Sequence, residues 1–228
     1  MSAPKVLVVF SSIFGANAAL AEQCQAALEE AGADVRVRGV PQLVLGEYEV
    51  ESAKAHPKAT TEDLEWADGY ILTSPAHTGA MSASIKAFVD SEHDGALAGK
   101  YEDKTFTAMA TAELPHSGQE AVVKQLNSLG SAWGCVIVPP STANPSLNAS
   151  DGNAFGLSFT LEQGKLPEGI KPVLSQHLDR FVKLTYALAA ARPEIQESTA
   201  SAAGSAKIVA ETDDVSAPRH GIADALGS

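Results

Sequence analysis

Seven residues near the start of the chain, Ser11-Ser12-Ile13-Phe14-Gly15-Ala16-Asn17, have the types and spacing to bind an anion. Two hydroxyls and a turn-forming glycine follow a continuous apolar run, Val6-Leu7-Val8-Val9-Phe10. They precede a stretch in which Leu20, Cys24, Ala27, Leu28 and Ala31 recur at helical spacing until Gly32. Strand, short loop and helix together aim loop N–H groups and the positive end of a helix at one point, where a phosphate can sit. Ser11 and Ser12 add hydroxyl donors, and Gly15 lets the backbone turn tightly beside the anion. The alternative at this point is that Ser and Asn simply cap the helix.

His77, His93, His116 and Glu113 are further groups able to move a proton or hold a metal. Their spacing fixes no ligand geometry, so no metal site is expected. His177, on the apolar face of the last helix, reads as a core histidine with its hydrogen bonds made. Trp133 reads as packing, and Cys24 and Cys135 as buried thiols with neither disulfide nor metal spacing.

These residues need elements to position them. The apolar run suits a strand buried on both faces of a parallel sheet. Asp34 to Val40 alternates valine with arginine, as an edge strand does, and Pro41 ends it. Residues 42–60 read as an irregular connection. Thr60 or Thr61 caps a short helix with Glu62 and Asp63 in its first turn. Further strands are expected at Tyr70–Thr73, Thr105–Ala110 and Cys135–Val138. Helix faces are carried by Ile85, Phe88 and Val89, by Val122, Val123, Leu126 and Leu129, and by Leu174, Leu178, Phe181, Val182 and Leu188. Residues 91–104 read as a polar stretch and 141–171 as irregular; the last helix is expected to end before Pro193.

Five strands alternating with helices define an α/β doubly wound parallel sheet with helices on both faces. In such sheets a ligand lies outside the carboxyl ends of the strands, at the switch point. The loops there are 11–17, 74–81 and 111–118, the three of unusual composition. The chain of 228 residues therefore divides into a domain over 1–192 and a tail over 193–228, rich in Ala, Ser and acid, that is expected to be disordered. A net charge of −12 excludes a nucleic-acid surface and adhesion to an anionic membrane. No apolar run approaches the roughly 20 residues of a membrane span, and no signal peptide is evident, so a cytoplasmic protein is expected.

The order and spacing of these elements resemble the flavodoxin superfamily, and more closely the WrbA-type NAD(P)H:quinone oxidoreductases. The similarity rests on Lys5–Val8 with Ser12 and Gly15, Thr60 to Asp68, Ser74-Pro75, Gly79, Met81-Ser82 and Phe88-Val89-Asp90. It continues through Gly95-Ala96-Leu97, Gly99-Lys100, Gly118-Gln119-Glu120, Gly134 to Pro139 and Gly152 to Gly156, spanning roughly residues 5–190. The resemblance implies a sheet order of 2-1-3-4-5, bound FMN, NAD(P)H as reductant, a quinone-like acceptor and a homo-oligomer, dimer or tetramer. It implies that Ser11, Ser12, Ile13, Phe14, Gly15, Ala16 and Asn17 hold the FMN phosphate. Pro75, Ala76, His77, Thr78 and Gly79, with Ala112, Glu113, Leu114, Pro115, His116, Ser117 and Gly118, would flank the flavin ring. No side chain need act as a catalytic nucleophile, since the chemistry belongs to the cofactor.

The chain departs from the family pattern in its third loop, where Glu113-Leu114-Pro115-His116 replaces glycines and threonines. Pro115 has no N–H to offer, and Glu113 brings a negative charge. His77 and Thr78 stand where an arginine and an aromatic residue are usual. The alternative function is accordingly a flavodoxin-fold binding or regulatory protein that has lost its flavin.

Overall fold

The run Val6 to Phe10 lies at the centre of the molecule. The computed structural model describes residues 2–43 and 55–210, with side chains to residue 193. In it the run forms β1 (Lys5–Phe10) and is fully buried. Val6, Val8 and Phe10 enter one core and Leu7 and Val9 the other, because successive side chains of a strand point to opposite faces. Burying one such leucine stabilises the fold by roughly 1.5–3 kcal/mol.

Helix α1 (Ala16–Glu30) returns the chain to β2 (Asp34–Gly39), which pairs parallel to β1 from Lys5↔Asp34 to Phe10↔Gly39. Helix α2 (Thr61–Trp66) starts where the sequence predicts, with Thr60 accepting a hydrogen bond from the Asp63 N–H. Then come β3 (Gly69–Pro75), α3 (Ala83–Ser91), α4 (His93–Leu97), β4 (Thr105–Ala112), α5 (Gln119–Ala132) and β5 (Val136–Ile137). A 3-10 turn (Leu147–Ser150), β6 (Leu157–Thr160) and α6 (Lys171–Ala210) follow. The strands run parallel in the order 2-1-3-4-5, the flavodoxin-like arrangement expected. One core joins the sheet to α1 and α6 through Leu20, Cys24, Leu28, Leu174, Leu178 and Phe181. The other joins it to α2, α3 and α5 through Leu64, Ile85, Phe88, Val122 and Leu126.

β3 and β4 run longer than the expected Tyr70–Thr73 and Thr105–Ala110, and four further features differ from the sequence reading. A sixth strand, β6, lies within the stretch 141–171 that reads as irregular, and pairs with β4 from Met109↔Leu157 to Ala112↔Thr160. Four residues are too few to show a period; burial of Leu157 and Phe159 on the neighbouring strand holds them. The fifth strand shortens from Cys135–Val138 to Val136–Ile137, pairing only with Thr105 and Phe106. Pro139-Pro140 end its supply of N–H donors, and β6 takes over the other half of β4. Within the polar stretch, His93–Leu97 forms a short helix. Last, α6 continues through Pro193 as helical backbone to Ala210. Alanines, the strongest helix formers, fill the turn before that proline, and Glu194, Gln196 and Glu197, also good helix formers, follow it.

The chain falls into two units, Met1–Ala190 and Ala191–Ser228. The first holds the sheet and the cleft; the described part of the second is helical backbone. Residues 44–54 of the expected irregular connection, and residues 211–228 of the tail, lie outside the described residues.

Candidate functional site

The carboxyl ends of β1, β3 and β4 open into one cleft of about 200 Å³. Ser12, Ile13, Phe14, Ala16 and Asn17 line it from the first loop, Pro75, Ala76 and His77 from the second, and Ala112 and Glu113 from the third. The three loops singled out in the sequence thus meet. Thr111, Leu161 and Gly164 line the cleft as well. Thr111 is the last but one residue of β4, which runs two residues longer than expected, and Leu161 and Gly164 follow the unforeseen β6. Only a four-residue hydrophobic alternation signalled that segment.

The first loop is built as a donor cradle. Gly15 sits at the α1 N-cap with φ 98°, a left-handed conformation that glycine adopts without strain. Among the described residues no side chain caps α1, so the N–H groups of its first turn keep their donor capacity, and no acidic residue lies in that turn to screen the helix dipole. Ser12 Oγ accepts from the Gly15 N–H at 3.1 Å and keeps its own proton to donate. Ser11 is buried behind the loop near Gln42, at 3.5 Å. Asn17 does not cap the helix. Thr73 Oγ1 donates to Asn17 Oδ1, and Asn17 Nδ2 donates to Thr111 Oγ1 at 2.8 Å, so one buried amide ties the helix start to β3 and β4.

The second loop is a tight reverse turn. The His77 N–H donates to the Ala80 carbonyl at 2.9 Å and the Ala80 N–H to the His77 carbonyl at 3.0 Å, with Thr78 and Gly79 at positive φ at the tip. The third loop folds back on α5. Gln119 Nε2 donates to the Leu114 carbonyl at 2.8 Å, while the Ser117 N–H donates to Gln119 Oε1 at 3.0 Å. The two loops touch at Gly118, φ 95°, where a Cβ would stand 2.6 Å from the Gly79 Cα. Leu114 projects into solvent, and Pro115, His116 and Gly118 face a neighbouring hollow shared with Glu120, Asp151 and Phe155.

The walls of the cleft are mostly apolar, and among the described residues no Lys or Arg lines it. An anion there is met by N–H groups, hydroxyls and the helix dipole. Glu113 and His77, both solvent-exposed, are the ionisable groups at the mouth. Among the described residues no three of His, Cys, Asp and Glu come together to hold a metal ion. His177 is buried in the core, but only half of its hydrogen bonding is made. Nε2 lies 2.9 Å from Thr107 Oγ1, while Nδ1 has no partner among the described residues. Burial, and to a lesser degree Arg180, push its pKa down to about 4. Trp133 packs against Tyr70 and Tyr101 in the second core. Burial pushes the Cys24 thiol up to about 12, where it is inert.

Sheet order and the position of the cleft define a flavodoxin-like α/β protein, with the start of α1 at its switch point. Residues 4–147 match the NADPH-dependent FMN reductase family. The chain is 33% identical over 195 residues to an NAD(P)H dehydrogenase (quinone) of Deinococcus radiodurans, covering 81% of this chain and 98% of that one. The chain belongs to the NADPH-dependent FMN reductase family. A flavodoxin, WrbA-like protein from Agrobacterium tumefaciens shares its fold at TM-score 0.54 and 17% identity, over 81% of this chain and 98% of that one. A Fusobacterium nucleatum flavodoxin bound to flavin mononucleotide does so at TM-score 0.52 and 11% identity, over 78% and 97%.

Proposed function

We infer that this protein is an FMN-dependent oxidoreductase that passes reducing equivalents from NAD(P)H to a quinone-like acceptor. The observation that carries the reading is the uncapped start of α1, set beside an apolar cleft closed by the loops of β3 and β4. The residues fit the cofactor: Ser12 and the first-turn N–H groups suit a phosphate monoester, and Ile13, Pro75, Ala76 and Leu161 offer apolar walls to a flat ring. When bound, FMN supplies the two-electron chemistry between nicotinamide and quinone. The chain's residues hold the phosphate, orient the ring and keep part of it from water. Asn17, Thr73 and Thr111 fix the spacing of the phosphate loop against the ring loops. Glu113 places a charge at the mouth that opposes negative charge on a reduced ring.

The reading extends to the assembly and its place in the cell. Phe14, Leu97 and Leu114 are 75%, 75% and 65% exposed, and such unpartnered apolar side chains suit burial in a homo-oligomer, dimer or tetramer. Among the described residues no helix is long and apolar enough to cross a membrane, and a cytoplasmic enzyme is the reading we adopt. The test is flavin content of the purified protein, NAD(P)H-dependent reduction of a benzoquinone, and FMN titration of Ser12→Asp. A carboxylate at Ser12 faces a phosphate dianion with no basic side chain among the described lining residues to screen it, so affinity should fall at least about tenfold. A protein that takes up no FMN leaves the flavin-free binding module in its place. Unchanged affinity in the variant removes the phosphate from this loop.

A further inference from the structure

One residue lining the cleft has its hydroxyl proton turned away from its buried amide partner. Thr73 donates to Asn17 Oδ1, and Asn17 Nδ2 donates to Thr111 Oγ1 at 2.8 Å. All three residues are buried, at 0%, 2% and 1% exposure. An amide N–H₂ group donates and does not accept, so Thr111 Oγ1 is the acceptor on its Asn17 side and its own O–H must point elsewhere. The Thr111 carbonyl is already engaged, accepting from the Ala76 N–H at 2.8 Å. Thr111 lines the cleft, and among the described residues no further partner takes its hydroxyl proton. The chain Thr73–Asn17–Thr111 polarises each successive donor, which strengthens the last one. The phosphate has its own cradle at Ser12 and the α1 N-terminus. Thr111 stands instead on β4, at the root of the third loop.

We propose that Thr111 donates a hydrogen bond to the part of the bound flavin beyond its phosphate, and that Asn17 is the positioning residue that aims it. This rests on the reading of the cleft as an FMN site. The probes are FMN and riboflavin, which lacks the phosphate, titrated into flavin-stripped protein and followed by quenching of flavin fluorescence. Thr111→Val should weaken both by the same factor, roughly 5- to 30-fold for one lost hydrogen bond. Thr111→Ser, which keeps the hydroxyl, should bind both like the parent. Asn17→Asp accepts from both threonines and turns the Thr111 proton away from the cleft, so it too should weaken riboflavin binding. Combined with Thr111→Val it should cost riboflavin nothing more, a non-additivity that mere loosening of the fold does not produce. If Thr111→Val does not fold, the comparison of Asn17→Asp with the parent decides the matter.

Parent-like riboflavin binding by Thr111→Val, loss confined to FMN, or losses that simply add would each overturn the proposal while leaving the FMN reading intact. Failure of the parent protein to bind either flavin would overturn that reading, and the proposal with it.

Discussion

Glu113 lines the mouth of the cleft. Like charges repel, so its carboxylate, exposed at the mouth, opposes charge on a reduced ring. Glu113→Thr should raise the midpoint potential of the bound flavin by roughly 20–50 mV and speed its reduction by a nicotinamide. A spectroscopic redox titration measures the shift, and an unchanged potential would show that the side chain turns into solvent. The same scale shows what the sequence hides. Ser12 and Gly15 were legible because strand, hydroxyl, glycine and helix occur in a fixed local order. Asn17 was not: its partners, Thr73 and Thr111, are 56 and 94 residues away, and nothing local separates a cap from a clamp. For the same reason His177 was legible as a core residue from its helical position, while its unpartnered Nδ1 was not.

Between elements, the second and third loops meet through two glycine backbones. Gly118 carries a left-handed φ, and its Cα hydrogens lie against Gly79, so Gly118→Ala meets both backbone strain and a 2.6 Å contact. Roughly 1–3 kcal/mol of stability should be lost, read by urea denaturation, and flavin affinity should fall with it as the loops separate. A variant of parental stability would show that the turn at Thr78–Gly79 yields without cost. The parallel strands of the sheet centre were legible because each carries its own apolar run. β6 was not, since Leu157-Ser158-Phe159-Thr160 becomes a strand only through the carboxyl half of β4. That half lies free because β5 stops after Ile137.

For the whole molecule, stability should depend on pH through His177. Its folded pKa of about 4 lies below the ordinary 6.5, because burial disfavours the imidazolium. Above pH 6.5 neither state is protonated and the group exerts no penalty. As pH falls from 6.5 towards 4, the unfolded chain binds a proton that the folded chain refuses. Stability drops by up to about 3 kcal/mol across that window. Urea denaturation at pH 7.5 and 4.5 measures the difference, and His177→Gln should remove that share of it. Removal of residues 194–228 should leave the melting temperature within about 2 °C of the parent, because a segment so rich in Ala, Ser and Gly has little apolar surface to bury. A fall of many degrees in calorimetry would show the segment to be part of the folded structure's stability.

The two margins of the sheet are protected by different means. β2 carries Arg36 and Arg38, both ion-paired to Asp63, and the opposite margin is split between a two-residue and a four-residue strand. Within the described residues, neither margin presents a long, flat and uncharged row of main-chain donors and acceptors. Such rows are the templates on which proteins zip together into fibrils. Self-association of this protein should therefore run through side chains on its helices and loops and yield closed, countable assemblies. Even at high concentration, the open-ended stacking to which a bare parallel sheet is prone should not occur.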